Sequence, residues 1–326
     1  MSDQEPSQSG KPDLHYEQIL ASEVAREMLR EQRRSRRWGI FFKLLLAAYL
    51  LFFLIAYLAN HWQIEASGLG VGSKHTAVVD IDGVLANNAQ ASADNIIDGL
   101  RAAFKDKNTA GVLLRINSPG GSPVVAGYVN DEIYRLRKKY PHKPVYAVIQ
   151  DICASGCYYI ASAADKIYAD KASVVGSIGV IMSGFGFTDA INKLGIQRRV
   201  LHAGKHKDFM DPFKPLNNEE VTRVNTMLDN VFQQFKDVVK KGRGKRLKMA
   251  DSDKIFSGLI WTGEEAQKLG MIDGLGSDRY VARKVIGASH MVNYTHRESY
   301  LDRFARRIGS TLANRLYSDM KMNLVQ

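Results

Sequence analysis

Pro144-Val-Tyr-Ala-Val-Ile149 is a compact apolar run, and Asp151-Ile-Cys-Ala-Ser-Gly-Cys-Tyr-Tyr-Ile160 follows it, with one serine set between small residues where a helical pattern begins. A β-branched run that turns into a helix at a serine reads as a strand-to-helix junction in an α/β sheet. Working outward, the alternation recurs: residues 76–81 and 111–116 are strand-like, while 92–104 and 124–139 carry helical spacing. Strands and helices alternating at this interval imply βαβ units and a largely parallel, buried sheet. Functional groups in such sheets gather outside the carboxyl ends of the strands. Asn117-Ser-Pro-Gly-Gly-Ser122 follows one strand as Ser155 follows another, so the two loops are expected on one rim.

A serine in that position has two readings. It can cap the helix that follows, as serines commonly do. Alternatively its hydroxyl stands free above the sheet as a nucleophile, beside helix amides ready to bind negative charge. The Pro-Gly-Gly turn also has a plain reading, but its glycines can aim backbone N–H groups at a ligand. No P-loop lysine or GxGxxG spacing accompanies it, so an oxyanion hole built from Gly121 and Gly156 is the functional reading, with Gly120 equally able to serve. A base is sought in Leu201-His-Ala-Gly-Lys-His-Lys-Asp-Phe-Met210, which carries His202, Lys205, His206 and Lys207. Adjacent residues in extended chain point opposite ways, so the sequence leaves His206 and Lys207 both open. A lysine base has to be neutral near neutral pH, a state that burial favours. Ser177 in Gly176-Ser-Ile-Gly179 is a candidate hydroxyl to orient it.

Bulk composition is that of a folded protein: 326 residues, 45% hydrophobic, with 45 Lys and Arg against 34 Asp and Glu, a net charge of +11. No zinc-finger spacing, RNP-like motif or heptad-linked basic region accompanies the charge, so nucleic acid is not an expected partner. The lipid bilayer is. Residues 39–59 are apolar except for Lys43, long enough to cross a hydrocarbon layer of about 30 Å. Trp38 and Trp62 flank the stretch, Arg33-Arg-Ser-Arg-Arg37 precedes it, and residues 60–72 hold no Lys or Arg. The positive-inside bias then places the amino terminus in the cytoplasm and the remainder outside.

Further along, residues 218–241 space Val221, Val224, Leu228, Val231, Phe232 and Phe235 on one helical stripe. Lys240-Lys-Gly-Arg-Gly-Lys-Arg246 reads as a solvated basic loop. Leu301, Phe304, Ile308, Leu312 and Leu316 form an apolar stripe in the tail, expected to contact protein. Cys153 and Cys157 read as small buried residues packing a helix on a sheet, because neighbours on one helical turn rarely present disulfide geometry. Two cysteines without a His or Cys partner at ligand spacing make no metal site.

Four motifs occur in order: Ile116-Asn-Ser-Pro-Gly-Gly121, Ala154-Ser-Gly-Cys-Tyr-Tyr-Ile160 leading into Ala163-Ala-Asp-Lys-Ile167, Val175-Gly-Ser-Ile-Gly-Val-Ile181, and Gly204-Lys-His-Lys-Asp208. With Trp261-Thr-Gly-Glu-Glu-Ala266, they resemble the signal peptide peptidase A family of membrane-anchored serine-lysine peptidases, over about residues 75–287. The resemblance implies an α/β fold, the Clp protease/crotonase-like ββα superhelix, with one amino-terminal transmembrane helix, as in the shorter form of the family. It implies Ser155 as nucleophile, Lys207 as general base, Ser177 as the hydroxyl that holds the lysine, and Gly121 and Gly156 as oxyanion donors. It implies neither metal nor organic cofactor. The expected substrates are cleaved signal peptides and similar apolar peptides, with a non-hydrolytic scaffold or chaperone on the same fold as the alternative. The expected location is the bacterial inner membrane, single-pass, with the catalytic domain periplasmic. Serine and lysine meet across a domain boundary in this family, so a homo-oligomer with a shared site is implied. Cys153 and Cys157 depart from the Ala or Gly usual there. The expected organisation is a cytoplasmic tail (1–37), an anchor (38–62), a linker (63–75), a peptidase domain (76–290) and an amphipathic tail (291–326).

Overall fold

A computed structural model describes residues 36–55 and 73–296. Most of the expected linker, the end of the expected anchor, most of the cytoplasmic tail and the apolar stripe at 301–316 fall outside the described residues, and His75, placed at the linker's end, already belongs to a strand. The chain divides into two units, Met1–Val71 and Gly72–Gln326. In the first, α1 (Arg36–Ile55) is 20 residues of helix with every side chain exposed. Among the described residues it is the one helix long and apolar enough to cross a membrane.

In the second unit, β1 (His75–Asp82), α2 (Ala93–Lys105), β2 (Thr109–Ser118), α3 (Pro123–Lys139) and β3 (Val145–Ala154) alternate as the sequence pattern requires. The short α4 (Gly156–Ala161), β4 (Lys166–Ala169) and β5 (Val174–Gly176) follow. Next come α5 (Thr188–Lys193), the long α6 (Asn218–Arg243), β6 (Ile260–Thr262), β7 (Gly274–Leu275) and β8 (Met291–Asn293). Strand order is β6-β5-β3-β2-β1-β8, with β4 on β3 and β7 on β4. All pairs are parallel except β5 with β6. The sheet continues past residue 290, because β8 pairs with β1 through Thr76–Val78.

Period-two alternation sorts the strands' side chains. Ala77, Val79, Ile81, Val112, Leu114 and Ile116 enter the main core with α2 and α3, whereas Val78, Leu113 and Val148 face the opposite layer around Val281. Helix α2 buries Ile96, Leu100, Ala103 and Phe104 on one stripe, and Ser92 caps it by accepting the Asn95 N–H. Ser122 caps α3 in the same way through Val125.

Strand β3 governs the site. One edge lies along β2, and the other takes β4 through Tyr146–Ile149 and then β5 through Ile152–Ala154. Its carboxyl end is therefore flanked on both sides, and the residue after it emerges between two loops.

The basic stretch at 240–246 is solvated at Lys240, Lys241, Lys245 and Arg246, as expected, but it is not a loop and not solvated throughout. It is the end of α6 and a following turn, with Arg243 fully buried. The Arg243 guanidinium donates to Asp273 at 2.7 Å and twice to the Gly270 carbonyl at 3.1 and 3.0 Å. Burial would push the Asp273 carboxyl up, but the guanidinium overrides it and holds it below the ordinary range. A charge this well paired is retained in the interior where an unpaired one is not.

Candidate active site

Ser155 is the residue between β3 and α4, at φ 55° and ψ −128°. A left-handed φ on a residue with a Cβ costs on the order of 1–3 kcal/mol and is kept only where the surroundings fix it. Here the Ser155 N–H donates to the Gly176 carbonyl at 2.8 Å, and its own carbonyl accepts from Tyr158 and Tyr159 at 2.9 and 3.2 Å. The cap reading fails on geometry. Ser92 and Ser122 cap their helices, but Ser155 makes no such bond. Ser155 lines a cleft of about 490 Å³.

Ser177 arrives by the same construction. Ala154 pairs with Gly176 at the ends of neighbouring parallel strands, so Ser155 and Ser177 are the next residues along each. Ser177 also has a positive φ, 50°, donates its N–H to the Leu259 carbonyl at 2.7 Å, and lines the same cleft. The third positive-φ non-glycine residue among those described is Met210, three residues beyond Lys207.

The glycine loop meets the serine as the topology requires. A bridge between Leu85 and Gly121 holds it: Leu85 N–H donates to the Gly120 carbonyl, and Ser122 N–H to the Leu85 carbonyl, both at 2.8 Å. The Gly120 N–H donates to Ser118 Oγ at 3.2 Å. Among the described residues, the N–H groups of Gly121 and Gly156 have no acceptor. Gly120, at φ 97°, is required by close packing instead, since a Cβ there would lie 2.6 Å from the Ala154 carbonyl oxygen and 2.8 Å from Ser155 Cβ. Gly120→Ala is therefore expected to cost about 2–4 kcal/mol through strain and overpacking. Gly127→Ala, within α3 and facing open space, is expected to be neutral or to stabilise by up to about 1 kcal/mol. Thermal denaturation of both variants checks this; equal midpoints would contradict the packing argument.

The cleft is lined by Gly121, Pro123, Ser155, Gly156, Tyr159 and Ser177, and by Val180, Ile181, Val231 and Phe235 among others. Among the described residues no Lys, Arg, His, Asp or Glu lines it. Burial pushes the Tyr159 phenol up, so it stays protonated and is no base. Lys207 and His206 lie elsewhere, exposed, on a turn in which Lys207 N–H donates to Gly204 at 3.0 Å. His206 borders a separate cleft of about 870 Å³ beside the first turns of α6. The chain thus brings together Ser155, Ser177, Gly121 and Gly156, and does not bring Lys207 to them.

The basic residues of that turn differ in one respect. His202 faces Asp208 at 3.7 Å, while Lys205 and His206 face Glu219 at 3.6 and 3.7 Å. Among the described residues Lys207 has no carboxylate at ion-pair distance. The turn is pinned to α6: Lys214 Nζ bridges Asp208 at 3.0 Å and the buried Glu220 at 2.8 Å, and Glu220 accepts the Met210 N–H at 3.1 Å. Sequence reading missed Glu220, which resembles any acidic residue in a helix's first turn.

The chain thus holds an uncapped, strained serine at the carboxyl edge of a parallel sheet, beside two amides that have no acceptor among the described residues, an arrangement compatible with acyl transfer. Residues 137–289 match Peptidase family S49. The chain belongs to that family, the signal peptide peptidase A family, whose fold is Clp protease-like. It is 43% identical over 188 residues to a Brucella abortus protein named as a Na(+)/H(+) antiporter, covering 58% of this chain and 25% of that one. It is 35% identical to a putative protease of Methanocaldococcus jannaschii, with 61% of each chain covered. It is 31% identical to a putative protease of Synechocystis, covering 63% of this chain and 71% of that one. The chain thus spans a quarter to somewhat under two thirds of the length of the first two.

Proposed function

We propose that the chain is a membrane-anchored serine endopeptidase that cleaves signal peptides and similar apolar peptides through an acyl-enzyme. Lys207 takes the proton from Ser155 Oγ as that oxygen attacks the scissile carbonyl carbon. The tetrahedral oxyanion accepts hydrogen bonds from the N–H groups of Gly121 and Gly156, each donor contributing roughly 3 kcal/mol. Lys207 then protonates the leaving amine, and later deprotonates the water that hydrolyses the ester. Ser177 Oγ orients the lysine amine. The residues call for no metal or organic cofactor in this scheme.

In this reading the lysine of one subunit serves the serine of the next, within a homo-oligomer. Three features support it: a cleft that no basic side chain lines among the described residues, a Lys207 that is exposed and has no carboxylate partner among them, and an apolar arm between β5 and α6. On that arm Ile181, Phe185 and Leu201 are 86, 82 and 99% exposed, surface that a second copy would cover. The apolar wall of Val180, Val231 and Phe235 suits apolar substrate side chains. Helix α1 with the arginines before it suits a single pass through the bacterial inner membrane, amino terminus in the cytoplasm and catalytic unit periplasmic, near where cleaved signal peptides reside.

The observation that carries the proposal is the uncapped hydroxyl of Ser155 beside the amides of Gly121 and Gly156, which find no acceptor among the described residues. A fluorophosphonate probe, which phosphonylates activated serines, is expected to label the detergent-solubilised native chain and to leave Ser155→Ala unlabelled. A native chain that takes no label would point to a scaffold on the same fold.

A further inference from the structure

The two cysteines of the chain flank Ser155, and the mechanism uses neither. Cys153 is the penultimate residue of β3 and Cys157 the second of α4, so they do not share a helical turn. The reversal at Ser155 folds strand back toward helix, and the two Sγ atoms stand 2.7 Å apart, both side chains wholly buried. That is closer than unbonded thiols ordinarily pack and within a short shift of the roughly 2.05 Å of an S–S bond. The sequence expectation of buried packing residues holds, whereas the objection to pairing rested on a helical turn the pair does not occupy.

The geometry points to Cys153 and Cys157 as a disulfide site that locks the turn presenting Ser155. The chain holds no other cysteine, so there is no competing pairing within it. The oxidant is a disulfide, either low-molecular-weight or carried by a protein. One cysteine thiolate attacks it, giving a mixed disulfide and releasing one thiol; the second cysteine thiolate then displaces the other, so two protein thiols become one S–S bond and the oxidant becomes two thiols. Burial and the neighbouring sulfur push the Cys153 thiol well up. Closure therefore belongs to the folding stage, before the core excludes the oxidant, and the finished bond is shielded from reductants. It joins the end of β3 to the first turn of α4 across the strained serine, removing freedom by which that φ would relax. The periplasmic placement proposed above supplies the oxidant in the cell; the sulfur geometry stands without it.

The test uses the full chain in detergent, unfolded in urea with reductant, then refolded across a series of oxidised-to-reduced glutathione ratios. Each sample is quenched with iodoacetamide in denaturant and weighed by intact-mass spectrometry. The expected product is a chain lighter by two hydrogens with no alkyl group. Once folded, it resists reduced glutathione, and forced reduction lowers its melting midpoint. Cys157→Ala is expected to carry a single alkyl or glutathione group instead. Two alkylated thiols, or two glutathione adducts, at every ratio in the folded wild-type chain would overturn the assignment. Peptidase activity is not read, so the outcome is independent of the serine-lysine proposal.

Discussion

Ser155→Ala is expected to reduce peptide hydrolysis by roughly four orders of magnitude or more while leaving the melting midpoint close to that of the native chain. The size follows from the role: without the hydroxyl no acyl-enzyme forms, and only positioning and the two amides remain. Stability is spared because the Ser155 side chain bonds to nothing that holds the fold. What fixes the turn is the backbone, through Gly176 on one side and Tyr158 and Tyr159 on the other. Alanine also relieves none of the strain at φ 55°, so the elbow is retained. The check is turnover of an apolar peptide with a thermal melt of the same preparation. Turnover within tenfold of the native chain would remove Ser155 from the mechanism.

Lys207→Ala is expected to be equally inactive, and a mixture of the two inactive chains is expected to regain activity. In a mixed oligomer, a Ser155→Ala subunit still carries Lys207 and a Lys207→Ala subunit still carries Ser155. Wherever the two meet in the right order, one complete site forms. If subunits assort at random, half of the interfaces are mixed and half of these have the productive order, so activity returns to about a quarter of the native level. The preparations are co-expressed or exchanged in detergent and assayed with the same peptide. A mixture as inactive as its components, with mixed oligomers demonstrated by mass, would show that each subunit completes its own site. His206→Ala in parallel separates the two candidate bases, because His206 already faces Glu219 and its loss is expected to leave most activity.

Much of this arrangement was legible in the sequence because it follows from local pattern. The run at 144–149 and the small residues around Ser155 placed a junction where β3 meets α4, and parallel topology put the glycine loop on the same rim. What decides between neighbours was not legible. Gly120 and Gly121 are chemically identical, and only the bond from Gly120 to Ser118 Oγ, with the tight approach to Ala154 and Ser155, separates a packing glycine from one whose amide is free. The strain at Ser155 and Ser177 depends on Ala154 lying opposite Gly176 across two strands, a register that no short motif encodes. Arg243 was misread for a related reason: a basic run looks solvated until Asp273 and the Gly270 carbonyl are known to lie beneath it. The base stayed ambiguous because His206 and Lys207 are neighbours on a turn that is exposed on the single chain, and under the proposal assembly decides between them.

The most direct measurement is therefore a structure of the assembled chain, read for the separation between Lys207 Nζ and Ser155 Oγ. The account predicts that each serine has a lysine amine from a neighbouring subunit within proton-transfer reach, about 2.6–3.2 Å or somewhat looser without substrate. An assembly in which every Lys207 stays remote from every Ser155, with another base seated beside the serine, would contradict it.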